Sequence, residues 1–161
     1  MPSLRIAGPA TFAVASKRYR TSTILDCTPD ELFDIFEDAD AWPDFVSVIE
    51  KVEWTSPMPP KVGTTRTVTM KGGVTVDERF TAYDRGTHMQ FVFTSMSQPG
   101  LDAFGEDYRV TDLGGGRCRL DWTIVMEPVG IARFVTTFTG WTTNLVLPRM
   151  AKGLRDYVAG S

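Results

Sequence analysis

The chain has one histidine, two cysteines and no excess of positive charge in its 161 residues, and each scarcity closes a class of function. With His88 alone, a metal site built from several histidines is excluded, and a Ser-His-Asp arrangement would rest on that single residue. Cys27 and Cys118 stand far apart without CxxC spacing, which supports neither a disulfide scaffold nor a zinc site; they read as buried thiols in a reducing compartment. The formal charge of -3 comes without a cluster of Lys and Arg, so nucleic acid is not an expected partner. Long apolar runs are missing as well. "FVTTFTGWTTNLVL", residues 134–147, lacks charge but carries five threonines and a glycine, and it is shorter than the roughly 20 apolar residues of a membrane span. Residues 1–15 hold one Arg, a short apolar stretch broken by Gly8-Pro9 and an A-x-A ending, a poor match to a signal peptide. A cytoplasmic protein without a stable membrane anchor is the expectation.

What is present is the composition of one folded domain: 42% hydrophobic and 23% charged residues, with no internal repeat or low-complexity tract. Residues 17–26 alternate and carry β-branched side chains, as a first strand should. Thr28-Pro29-Asp30-Glu31 then starts a helix, with Thr28 as N-cap, Pro29 in the first turn and Glu31 closing a capping box. Leu32, Phe33 and Phe36 form its apolar stripe up to about Asp38. "EDADAWPD" lacks the glycine and spacing of an EF-hand, so its carboxylates read as a solvated helix end. Residues 45–55, 63–70, 74–83, 87–96, 103–112 and 117–127 read as six further strands, most joined by glycine-bearing turns into an antiparallel meander. A long helix over 131–158 closes the chain. Phe134, Phe138, Trp141 and Leu145 form one stripe, and Leu147, Met150, Leu154 and Tyr157 continue it on a displaced one after a kink at Pro148.

Turn lengths test this reading, because a one-residue slip sends a whole apolar set to the wrong face. A three-residue loop at Lys71-Gly72-Gly73 opposes Met70 to Val74, Val68 to Val76 and Arg66 to Glu78. A two-residue turn at Arg85-Gly86 opposes Ala82 to Met89, Phe80 to Phe91 and Glu78 to Phe93, and leaves His88 on the outer surface. A loop at Gly114-Gly115-Gly116 opposes Val110 to Leu120, Tyr108 to Trp122 and Glu106 to Ile124. Pairing Ser95 with Phe104 then sets Glu106 opposite Phe93, and the inner face acquires a polar row of Arg66, Glu78 and Glu106. Two readings of that row stand. Arg66 and Glu78 form a structural ion pair, or they orient a ligand in a cavity with Phe80, Phe91, Phe93, Tyr108, Trp122, Met126, Phe138 and Trp141 in its walls.

"ILDCTPDELFDIFEDADAWPDF", "KVGTTRTV", "GGGRCRLDWTIVMEP" and "GLRDYV", in that order, carry a resemblance to the START-type superfamily, which includes polyketide cyclases, lipid-transfer domains and birch-pollen allergens. Asp40-Ala41-Trp42-Pro43 is similar to that family's Asp-x-x-Trp-Pro turn with one spacer fewer. The resemblance covers residues 17–159, leaving 1–16 as an N-terminal extension. It implies an α+β helix-grip fold: a curved antiparallel sheet of about seven strands around the C-terminal helix, two short helices after the first strand, and a hydrophobic cavity between. It implies a hydrophobic small molecule as the partner, such as a lipid, polyketide or quinone; no cofactor is expected, and a single histidine gives the superfamily's metal-dependent relatives no support. In the cyclase branch an interior arginine and hydroxyl groups act on the bound chain, and Arg66 and Tyr108 match these in kind, with Glu106 as a candidate acid or base. Three functions follow as expectations: a carrier of a hydrophobic molecule, an aromatase/cyclase-like enzyme, or a protein-interaction module of the same fold.

Overall fold

The computed structural model describes residues 1–6, 8–130 and 140–160, and the side chains of all of these except residues 140–144. Its elements run α1 (Pro9–Val14), β1 (Lys17–Leu25), α2 (Pro29–Glu37), α3 (Trp42–Phe45), β2 (Ile49–Trp54), β3 (Thr65–Met70), β4 (Val74–Asp84), β5 (His88–Met96), β6 (Leu101–Gly114), β7 (Arg117–Pro128) and α4 (Gly140–Ala159). One antiparallel sheet has the order β1-β7-β6-β5-β4-β3-β2, so the first strand crosses over to pair with the last. Residues 45–46, expected in a strand, instead end α3 and follow it, because Pro43 opens a helical turn that Val46 N–H closes on the Trp42 carbonyl.

Local chemistry explains the helix that packs on the sheet. Thr28 Oγ1 accepts from Glu31 N–H at 3.2 Å, and Thr28 N–H donates to Glu31 Oε2 at 2.7 Å, the expected capping box. Leu32, Phe33 and Phe36 are buried beneath it. In α4 the buried set is Leu147, Ala151, Leu154 and Val158, one face of a 3.6-residue period. Leu145 is corrected: it is 44% exposed, lying away from the Leu147 face, and Met150 and Tyr157 are only partly buried. Phe134 lies outside the described residues. No described helix is long and apolar enough to cross a membrane.

Gly153 lets α4 approach α3 closely, since a Cβ there would stand 2.4 Å from the Phe45 carbonyl oxygen. A backbone oxygen cannot rotate aside. Gly153→Ala would gain about 1 kcal/mol of helix propensity against an overpacking cost of about 1–3 kcal/mol or more. Given that contact distance, net destabilisation of about 1–2 kcal/mol is expected, read as a lower urea midpoint at constant slope. Equal or higher stability would show that α4 can slide off α3.

The register holds where turns set it locally and shifts elsewhere. Arg66 faces Glu78, Val68 faces Val76 and Met70 faces Val74 as expected. Across β4–β5, Phe80 faces Phe91 and Glu78 faces Phe93, but Ala82 is corrected: it faces Gln90, and Tyr83 faces Met89. A bulge at Thr81 is the cause, and it leaves Phe80 and Tyr83 in edge contact on the inner side. At the last hairpin Gly114 faces Arg117, so Gly115-Gly116, both with positive φ, make a two-residue turn and Leu113 is the bulged residue. Val110–Leu120, Tyr108–Trp122 and Glu106–Ile124 still pair as expected.

The pairing of Ser95 with Phe104 and of Glu106 with Phe93 is corrected. Glu106 faces Phe91, and β5 and β6 are paired only from His88–Val92 to Gly105–Arg109. Beyond Val92 a third segment takes their hydrogen bonds. Leu4 N–H donates to the Thr94 carbonyl at 3.0 Å, Arg5 N–H to the Asp102 carbonyl at 2.7 Å, and Met96 N–H to the Pro2 carbonyl at 3.2 Å. The N-terminal residues are thus a short stave between two diverging strands. Because the register error is two residues, Glu106 keeps its face.

His88 lies on the outer sheet face as expected, but partly buried there: its Nε2 lies 2.6 Å from Asp107 Oδ1 and its side chain is 18% exposed, because Asp107 gathers His88, Gln90 and Arg109. The two cysteines, remote in sequence, come near each other in space: Leu25 pairs with Cys118, and Cys27 follows two residues later, both thiols being free and buried. The interaction between them raises the pKa of Cys27 and lowers that of Cys118.

Candidate functional site

Between the inner sheet face, the α3–β2 segment and α4 lies a cavity of about 250 Å³. Its walls are mostly apolar: Val68, Met70, Phe91, Phe93, Ile124 and Met126 come from strands at one parity, Trp42 and Ile49 close one side, and Val146 and Met150 come from α4. Four polar side chains share that lining: Arg66, Glu78, Glu106 and Tyr108.

Arg66 is 1% exposed, and its Nε donates to Glu78 Oε2 at 2.5 Å. Its guanidinium carbon lies 4.2 Å from the ring centre of Trp42 and 4.7 Å from that of Phe91, with Phe80 and Trp54 at 5.4 and 5.5 Å. The rings attract the cation, which offsets part of its lost hydration. They do not supply acceptor oxygens. Nη1 and Nη2 are buried without a hydrogen-bond partner among the described residues. Leaving a buried donor unpaired costs about 1–3 kcal/mol, so two on one fork are an expensive feature. Burial pushes the Glu78 pKa above its ordinary value, and Arg66 works against that rise.

Glu106 is held differently. Its Oε2 accepts from Tyr108 Oη–H at 2.6 Å and from Trp122 Nε1–H at 2.8 Å. Burial pushes its pKa up to about 7, with the Glu78 charge adding to the rise and the Tyr108, Trp122 and Arg66 contacts opposing it. Near neutrality Glu106 is therefore divided between acid and carboxylate. Burial also raises Tyr108 well above the usual phenol value, so it stays protonated. The polar wall offers fixed N–H donors from Arg66 and a carboxyl group able to give or take a proton.

Of the residues singled out from sequence, Arg66, Glu78, Phe91, Phe93, Glu106 and Tyr108 line this cavity. Phe80 and Trp122 stand behind the lining, Phe80 against the Arg66 cation and Trp122 as donor to Glu106. Phe138 and the Trp141 side chain lie outside the described residues. Met126, expected between sheet and helix, and Met70 and Ile124, expected on the inner face, also line it; sequence reading missed Trp42, visible only as a turn marker, and Phe104 as lining.

A seven-stranded antiparallel sheet closed by a C-terminal helix over a lined cavity defines the helix-grip class of START-type proteins. Residues 16–160 match the family described as polyketide cyclase / dehydrase and lipid transport, and the chain belongs to that family. An uncharacterized protein of Mycobacterium tuberculosis is 42% identical over 139 residues, covering 86% of this chain and 83% of its own length; one of Mycobacterium bovis is similar to the same extent. Among solved structures, a START superfamily protein from Mycobacterium smegmatis superposes with a TM-score of 0.69 at 12% identity, covering 89% of this chain and 97% of that one. The di-domain ARO/CYC BexL from the BE-7585A biosynthetic pathway gives 0.71 at 11% identity, covering 89% of this chain and 46% of that one. At such identities these two comparisons speak to the fold.

Proposed function

We propose that the chain binds a small, flat hydrophobic molecule carrying an acidic or phenolic oxygen, with that oxygen at Arg66 and the apolar body against Phe91, Phe93 and Ile124. The observation that carries this is the pair of buried Nη atoms, without a partner among the described residues, on a cavity-lining guanidinium. A ligand oxygen would satisfy them bidentately. Protonated Glu106 would donate to a second oxygen. The described cavity, about 250 Å³, falls below the roughly 300–1,000 Å³ of drug-sized sites, which suits one or two fused rings.

The test uses 2-naphthoate as a probe in calorimetry. One-to-one binding is expected, weakened more than about tenfold, or roughly 1.4 kcal/mol, in Arg66→Met/Glu78→Met, which removes the ion pair as a unit. Binding of 2-methylnaphthalene should change little. Equal affinity of 2-naphthoate for both proteins, or none for the parent, would overturn the reading.

A second reading has its own support in Glu106, because a group titrating near pH 7 is suited to general acid and base work. In an aromatase/cyclase-like reaction Arg66 would stabilise an enolate oxygen while Glu106 moved the proton. Turnover of a poly-β-ketone that disappears in Glu106→Gln, with binding retained, would favour this enzyme over a passive carrier.

A further inference from the structure

The sheet opens at one place beside the cavity. β6 and β7 are joined by twelve register pairs from Leu101 to Gly114, whereas β5 and β6 are joined by five. Past Val92 and Gly105 the two strands are bridged by residues 2–5, outside the residues that the family match covers. The side chains flanking this split, Phe93, Met96, Leu101 and Phe104, are cavity-lining residues, and Phe93 stacks on Phe104 at 4.0 Å across it. Leu4 is buried in the main core, while the Arg5–Asp102 ion pair beside it is about half exposed on both sides.

The segment has a firm end and a loose one. Phe12 of α1 packs on Val92 and Ala103, and Gly105 makes room for it: a Cβ there would come within 2.6 Å of Phe12 Cζ. Arg18 donates to the Phe12 carbonyl at 2.5 Å, fixing α1 to the outer face of β1. Toward the N-terminus the hold among the described residues is three backbone hydrogen bonds, one buried leucine, the solvated ion pair and an exposed contact from Thr75 Oγ1–H to Met1 Sδ.

We propose that residues 2–5 are a removable stave of the cavity wall: the segment swings out on its α1 anchor and admits the ligand between β5 and β6. Neighbouring strands lie about 4.8 Å apart, so withdrawing one from between two leaves a slot of about 9–10 Å between backbones. That slot takes an aromatic ring edge-on once Phe93 and Phe104 part. Opening breaks the bonds of Leu4, Arg5 and Met96 and leaves every ladder of the sheet intact. The ligand part rests on the binding reading above; the opening itself does not.

A clamp tests it. Ser3 and Ser95 face each other as a bridge pair, and the bonds Leu4 N–H to Thr94 and Met96 N–H to Pro2 flank them, which makes theirs the narrow, non-hydrogen-bonded kind whose side chains approach most closely. Ser3→Cys/Ser95→Cys, oxidised, ties the stave to β5 on the side away from the cavity. In stopped flow, 2-naphthoate should enter and leave the oxidised form at least about tenfold more slowly, with Kd within about twofold and full recovery on reduction. Equal rates in the two forms overturn the entry route. Hydrogen exchange without any ligand supplies the second arm. Amides of Leu4, Arg5 and Met96 should exchange at least about 100-fold faster than those of the β6–β7 ladder, and the clamp should slow them. Exchange as slow as the ladder overturns the stave even if 2-naphthoate does not bind, and failed binding with fast, clamp-sensitive exchange removes the ligand reading alone.

Discussion

Arg66→Met should lower the unfolding free energy by about 3–5 kcal/mol at pH 8, the range for breaking one side of a buried ion pair. The substitution keeps most of the side-chain volume, so little of the loss is a cavity term. What remains is Glu78, 4% exposed and without its cation. It escapes by taking a proton, which costs about 1.4 kcal/mol for each pH unit above its unfolded value. Burial already raises the pKa of Glu78 with Arg66 present; without that opposing charge it rises further. The sign follows. A carboxyl whose folded pKa lies above its unfolded one contributes stability below the unfolded value and loses it as pH climbs through the folded one. The variant should therefore approach the parent near pH 4.5 and fall away from it towards pH 8. Arg66→Met/Glu78→Met should recover most of the loss, since apolar replacement of a whole buried pair is often neutral or better. Urea unfolding of the three proteins at pH 5 and pH 8 reads this directly. A single variant equally destabilised at both would mean that lost contacts with Trp42 and Phe91, not the stranded carboxylate, set the cost.

How far this pair was legible in sequence depends on where its hydrogen bonds are decided. Arg66 and Glu78 face each other because Lys71-Gly72-Gly73 fixes one hairpin, and Gly72 and Gly73 supply the positive φ that the turn needs. Everything required lies within a dozen residues. Glu106 was placed on the right face but one rung away, because the competitor for the β5 and β6 hydrogen bonds sits at residues 2–5, and no local pattern announces a stave from so far along the chain. The bulge at Thr81 has the same character: it lets Tyr83 reach Phe33 and the Glu37 carboxylate on α2, contacts that exist only after α2 has docked. Alternation thus read faces well and rungs poorly. The aromatic cage shows the other boundary. Trp42 lies against Arg66 only because α3 folds over the open end of the sheet, and its indole N–H is held by the Phe36 carbonyl at 3.0 Å. A Trp-Pro turn in sequence says nothing of which cation it will meet.

Glu106→Gln should flatten the pH dependence of stability and make the protein firmer at alkaline pH. In the folded chain Glu106 is pushed up to about 7 from a reference of 4.5, chiefly by burial. The folded state binds this proton more tightly than the unfolded one, so its contribution is complete below about pH 4.5 and fades as pH rises through 7. At about 1.4 kcal/mol per unit, the parent should lose on the order of 3 kcal/mol from this group between pH 4.5 and pH 8. Gln carries no charge to desolvate, and its side-chain oxygen can still accept from Tyr108 and Trp122, which now meet Oε2. The variant should therefore match the parent at pH 4.5 and exceed it at pH 8, apart from titrations common to both. Surface charge cannot produce this difference, because Glu106 is 8% exposed and salt should leave its contribution nearly unchanged. Parallel stability curves for the two proteins would place the Glu106 pKa near that of an ordinary carboxylate. Such a result would also remove its role as a proton donor at neutral pH, because a group ionised throughout that range has no proton to offer a ligand oxygen.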